Sequence, residues 1–159
     1  MYNDEVTVLL VDDDDVDIRV VQRAFQKAGV ANEMVIARDG IEALEQLRGT
    51  EEKPAIAGPV LVLLDLNMPR MTGLEFLQEL RADAQLHHTI VFVLTTSDDQ
   101  ADRMAAYEQN VAGYLLKHEA GRDFLTHLAM LQKFLVTVRF PTTANAGNVP
   151  WEFQPVVQF

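Results

Sequence analysis

Asp12, Asp13, Asp65, Thr95 and Lys117 are far apart in the chain, yet each stands where a short apolar run stops. Asp12 and Asp13 follow Val6 to Val11, Asp65 follows Val60 to Leu64, Thr95 follows Ile90 to Leu94, and Lys117 follows Gly113 to Leu116. If those runs are neighbouring strands of one sheet, three carboxylates, a hydroxyl and an ammonium converge on one rim. Clustered carboxylates repel and stay ionised together only beside a cation. Oxygen donors without Cys or His favour a hard ion, Mg²⁺ foremost, for which Mn²⁺ or Ca²⁺ could substitute. A carboxylate held this way can attack phosphorus and form an aspartyl phosphate. Lys117 would neutralise the transferring oxygens and the Thr95 hydroxyl would hydrogen-bond one of them. Each residue alone has a plainer explanation: an Asp that opens a turn, acidic residues capping a helix, a strand-end hydroxyl, a surface lysine. The joint pattern is what departs from chance.

The elements that must position these groups are legible as alternating signals. Five consecutive apolar residues, Val60 to Leu64, are too short for a stable helix and read as a strand buried on both faces. Val6 to Val11, Glu33 to Ala37, Ile90 to Leu94 and Gly113 to Leu116 give four more strands. Between them lie helical stripes: Ile18, Val21, Phe25 and Ala28 before Gly29; Ile41, Leu44 and Leu47; Leu74, Leu77 and Leu80; and a small-residue helix with Ala101, Met104 and Ala105. Residues 50 to 59 form an irregular loop. Strand and helix in alternation predict an α/β fold, a doubly wound five-stranded parallel sheet flanked by five helices. Reactive groups in such sheets collect beyond the strands' C-terminal ends.

Composition narrows the function further. A chain of 159 residues with 48% apolar content suits one domain. A formal net charge of −11 disfavours nucleic acid and anionic membrane as partners. The absence of cysteine removes disulfides, thiolate zinc sites and cysteine nucleophiles. No secretory signal and no membrane-length apolar run is visible, so a soluble cytoplasmic protein is expected. Asp13, Asp15 and Asp17 imitate a calcium-binding loop, but Ile18 and Ala24 stand where its glycine and glutamate belong. Nucleotide-binding glycine loops do not occur, and His87, His88, His118 and His127 lack metal-ligand spacing.

The segments Leu9 to Asp13, Leu63 to Gly73, Val93 to Ser97 and Gly113 to Lys117 together resemble the receiver domain of two-component response regulators, over roughly residues 5 to 136. The resemblance implies a flavodoxin-like receiver in residues 1–138, with 139–159 as a C-terminal tail and no output domain. It implies Asp65 as the phosphoacceptor, charged by a sensor histidine kinase or a phosphotransfer protein, and Mg²⁺ bound by Asp13, Asp65 and the main-chain carbonyl of Asn67, with Asp12 acting through water. It further implies Lys117 pairing with the phosphoryl group, Thr95 and Tyr114 as switch residues, and Asn67 and Ser97 as positions that tune dephosphorylation. Shorter likenesses, in Asp12 to Arg19, in the 50–59 loop and in Leu94 to Ser97, are similar to the small regulators that partner bacterial and cyanobacterial phytochromes. The pattern departs after Lys117. The family usually has a proline there in a cis peptide, and here His118 follows, which predicts either a trans bond with a rearranged loop or a strained cis bond.

The last helix, from about Gly121 to Val138, carries a core stripe of Phe124, Leu128, Leu131 and Leu135. Leu125, Ala129 and Val136 flank it on one side and Met130, Phe134 and Val138 on the other, more apolar surface than docking on a sheet needs. Either a second copy or the tail, Arg139 to Phe159, folded back covers the surplus; a homodimer through this helix and the tail is expected, with Leu125 and Phe134 in the contact. Rival functions are weaker. An aspartate-nucleophile phosphatase or mutase generally needs a second aspartate where Asn67 stands. A flavin module needs a phosphate loop where four aspartates lie. A degenerate receiver serving as an unphosphorylated adaptor would not need the full acidic set, Thr95 and Lys117. The expectation is a switch protein and not an enzyme on external substrates.

Overall fold

A computed structural model of the chain describes residues 5–117 and 122–141, and the side chains of these apart from 122–125. Its elements alternate as β1 (Thr7–Val11), α1 (Asp15–Lys27), β2 (Met34–Ala37), α2 (Gly40–Arg48), β3 (Val60–Leu64), α3 (Gly73–Ala82), β4 (Ile90–Thr95), α4 (Gln100–Glu108), β5 (Gly113–Leu116) and α5 (Arg122–Thr137). All the strands pair in parallel in the order β2-β1-β3-β4-β5. This is the doubly wound α/β sheet that the strand and helix signals predict.

Side chains alternate across the sheet and build a core on each face. Leu9, Val11, Val62, Leu64, Val91 and Val93 pack with residues of α2, α3 and α4. Val8, Leu10, Leu61, Leu63, Phe92 and Leu94 pack with α1 and α5. Coverage on both sides is why the central strands read as unbroken apolar runs rather than alternating ones. Helix boundaries follow local chemistry. The Asp14 carboxylate accepts the Val16 and Asp17 amides at the start of α1, and Gly29, at φ 71°, lies just past its end. Thr72 and Glu75 form a reciprocal capping box on α3.

Three helices differ in detail from their predicted stripes. In α2, Ala43, Leu44 and Leu47 are buried and Ile41 only partly. In α3, Phe76, Leu77 and Leu80 are buried and Leu74 only partly, because α3 places Phe76 at the centre of its inward face. In α4 the buried residue is Ala106, while Met104 is exposed. That helix is the most lightly anchored of those described, since one small side chain removes little apolar area from water. Nearby, the Arg81 guanidinium donates to the carbonyls of Gln109, His87, Thr89 and Asn110, and so ties the end of α3 to the turns leading into β4 and β5.

Leu128, Leu131 and Leu135 of α5 are buried as its stripe requires. Phe134 is partly buried, edge-on to Phe92 at 5.0 Å and to Phe140 at 5.8 Å between ring centroids. The Lys117–His118 bond, the side chains of Phe124 and Leu125, and the tail from residue 142 lie outside the described residues. No helix among the described residues is long and apolar enough to cross a membrane.

Candidate functional site

The strand order sets β1 and β3 side by side at the centre, flanked by β4 and then β5. Their C-terminal ends bring Asp12, Asp13, Asp65, Thr95 and Lys117 to one rim, as the sequence pattern predicts. Asp12 is 1% exposed and Asp65 7%, while Asp13 faces solvent. One carboxylate oxygen from each of Asp12, Asp13 and Asp65 lies within 4.8 Å of the others. Beside them a cleft of about 470 Å³ is lined by Asp13, Asp14, Asp15, Val16, Asp17, Asp65, Asn67 and Thr96. An all-oxygen donor set, one member open to solvent, fits a hard divalent cation that keeps part of its water shell.

Lys117 is the positive counterweight inside the protein. It is 9% exposed, and its Nζ donates to Asp12 Oδ2 at 2.5 Å, Asp17 Oδ2 at 2.9 Å and Asp65 Oδ2 at 3.3 Å. Its backbone N–H donates to the Thr95 carbonyl at 2.8 Å, which fixes where β5 ends relative to β4. Burial pushes the Asp12 carboxyl up to about 6, and the hydrogen bond and charge of Lys117 hold it from rising further. Burial also works against the Lys117 charge, but the hydrogen bond to Asp12 and the negative charges of Asp65 and Asp12 outweigh it and lift the ammonium above its ordinary value. At neutral pH the pair is ionised.

Local backbone shape completes the pocket. The Asn67 amide donates to Asp65 Oδ1 at 3.4 Å, so the chain turns over the carboxylate. A Cβ on Gly73 would meet the Asp65 carbonyl oxygen and the Leu66 backbone, and glycine there lets the start of α3 press under this turn. Between them Arg70 adopts φ 61°, an arrangement that costs a residue with a Cβ about 1–2 kcal/mol. Its guanidinium Nε donates to the buried Asp39 carboxylate at 2.6 Å and secures the turn to the start of α2.

The other candidate residues form a second network beside the pocket. Thr95, fully buried, accepts the Ser97 amide on its hydroxyl oxygen at 3.2 Å. The Ser97 hydroxyl donates to Asp102 of α4 at 2.7 Å, and the Tyr114 hydroxyl donates to the Ser97 carbonyl at 2.7 Å. Thr95, Ser97 and Tyr114 are thus joined through one short loop, with the Arg103 guanidinium 5.9 Å from the centre of the Tyr114 ring.

Three contributors, Asp17, Asp39 and Arg70, escape a reading by strand ends. Asp17 looks like one more acidic residue in the first turn of α1, although helical side chains lean toward the helix N-terminus and so toward the strand rim. Asp39 and Arg70 are separated by 31 positions, and nothing local marks them as partners.

Comparison with known proteins agrees with this geometry. The family model of the response regulator receiver domain matches residues 8–129, and this chain belongs to that family. Response regulator Rcp1 of Synechocystis sp. is 36% identical over 140 residues, which are 87% of this chain and 95% of that protein. The crystal structure of the Mn²⁺-bound form of Rcp1 superposes with a TM-score of 0.75 at 35% identity, covering 85% of this chain and 98% of that one. The phosphorylated cyanobacterial phytochrome response regulator RcpA superposes with a TM-score of 0.75 at 32% identity, covering 85% and 97%.

Because Asp12 takes up a proton near pH 6, protons should compete with a divalent ion there. Mn²⁺ affinity measured by calorimetry should fall about tenfold between pH 7 and pH 5, one unit below that carboxyl. For the metal-free protein the sign is opposite. A carboxyl raised above its ordinary value contributes stability that is present below pH 3.8 and lost as pH rises through about 6. Mn²⁺ affinity that is flat across this range would show that Asp12 takes no part in holding the ion.

Proposed function

We propose that the chain is a single-domain response regulator that accepts a phosphoryl group on Asp65 from a histidine kinase and signals through changed surface and dimer contacts. The Asp12, Asp13 and Asp65 cluster with Lys117 Nζ 3.3 Å from Asp65 carries this reading. A Asp65 carboxylate oxygen forms the new bond to phosphorus while the bond from phosphorus to the donor imidazole nitrogen breaks. The imidazole leaves with the electron pair and takes up a proton. Asp13, Asp65 and the Asn67 carbonyl would hold Mg²⁺, with Asp12 acting through water. When bound, the ion offsets charge on the phosphoryl oxygens.

Lys117 would turn from its carboxylate partners to a phosphoryl oxygen. The Thr95 hydroxyl, released from the Ser97 amide, would donate to another, and that loop would carry the change to Tyr114 and α4. Asn67, which lines the cleft, and Ser97, bonded to Thr95, would tune the lifetime of the acyl phosphate. The likeness to the response regulators Rcp1 and RcpA supports a receiver that signals through its own surfaces, and charging by an ATP-dependent kinase would place it in the cytoplasm. RcpA and the bacteriophytochrome response regulator AtBRR, 34% identical with a TM-score of 0.64, support a bacterial phytochrome as that kinase.

Exposed Met130 and Val136 on α5 support a homodimer in which Leu125 and the outer edge of Phe134 join the contact. Val136 is the better test position than Phe134, whose ring also packs internally.

Incubation with a purified phytochrome kinase and labelled ATP should label the wild type, and Asp65→Asn should reduce label to background. Its melting temperature should be equal or higher, since one of three repelling charges is gone. Continued labelling of the mutant at similar levels would refute the acceptor. In sedimentation, the wild type should be a dimer and Val136→Asp a monomer; a variant that stays dimeric removes this face of α5 from the interface.

A further inference from the structure

Lys117 has three N–H donors and three carboxylates around it, and their distances are unequal. The ammonium lies nearest Asp12 and Asp17 and farthest from Asp65, the group it must serve. Asp17 differs from the other two partners. It lies on the first turn of α1, outside the trio whose oxygens gather within 4.8 Å. Its backbone N–H is held by the Asp14 carboxylate, which fixes its side chain's origin. Its side chain is 36% exposed, so the pair with Lys117 is attractive without being locked by full desolvation.

We infer that Asp17 is a positioning residue that competes with Asp65 for the Lys117 ammonium in the unphosphorylated protein and so slows the rate at which the site takes up a phosphoryl group. The inference rests on the phosphoacceptor reading of Asp65. A phosphoryl group brings up to two negative charges and three acceptor oxygens, enough to draw the ammonium over. The charge on Asp17 is then a competitor that must be overcome on every cycle. Removing it should leave Lys117 nearer its working position and the phosphorylated form favoured. Asp12 cannot play this part alone, because its carboxylate also accepts the Asp14 amide and belongs to the cation cluster.

The test uses the full chain with Mg²⁺ and radiolabelled acetyl phosphate, which needs no kinase. Asp65 forms its bond to phosphorus as the bond from phosphorus to the acetate oxygen breaks, and acetate leaves with the electron pair. Asp17→Asn should be labelled about three- to tenfold faster than wild type. Asp17→Glu, which restores the charge, should return to the wild-type rate, and melting temperatures should differ by only a few degrees. Asp17→Ser repeats the test without an amide in the pocket. Wild-type or slower labelling of folded Asp17→Asn and Asp17→Ser overturns the inference while leaving Asp65 as acceptor. Failure of both variants to fold overturns it as well, by making the carboxylate a structural requirement. Absence of label on the wild type overturns the phosphoacceptor reading and this inference together.

Discussion

A buried ammonium among carboxylates is the interaction on which the rest depends. Asp12 and Asp65 are almost wholly removed from solvent, and without Lys117 their mutual repulsion and desolvation would be uncompensated. The fold is what makes the pairing possible. Strands in a sheet lie about 4.8 Å apart, so the end of β5 is about 10 Å from the end of β3, with β4 between them. A long, unbranched side chain leaving β5 is needed to cross that gap. The Lys117 amide bonded to the Thr95 carbonyl sets the point of departure.

The same arrangement explains how a change at one carboxylate can reach the surface. Thr95 touches the Ser97 amide, Ser97 touches both Asp102 and Tyr114, and Ala106 is the one fully buried side chain of α4. A rigid sheet beneath and a lightly anchored helix above give two regions of unequal stability joined by a few hydrogen bonds. Any reorientation of Thr95 acts first on that joint. Arg81 secures the turn that follows α4 through the Gln109 and Asn110 carbonyls, at the end of the helix away from the pocket.

Much of this was legible from residue order, for a physical reason. A parallel sheet covered on both faces forces unbroken apolar runs, and where each run stops the next residue must sit on the rim. Asp12, Asp13, Asp65, Thr95 and Lys117 were found that way. The lysine's choice of Asp17 was not, because helix phase and side-chain lean decide it. The Arg70 link to Asp39 was hidden for a different reason: a left-handed residue without glycine leaves no compositional mark. In α4, Met104 has the stronger apolar character but Ala106 the inward phase, and shape at the sheet surface decided between them.

The most direct measurement is a crystal structure of the protein grown with Mg²⁺ and beryllofluoride, a mimic of a phosphoryl group on a carboxylate. The expected result is beryllium bonded to Asp65, Mg²⁺ between Asp13 and Asp65, and Lys117 Nζ moved off Asp12 and Asp17 onto a fluoride. Beryllofluoride bound elsewhere, or bound at Asp65 with Lys117 still on its resting partners, would contradict the role given to that charge pair.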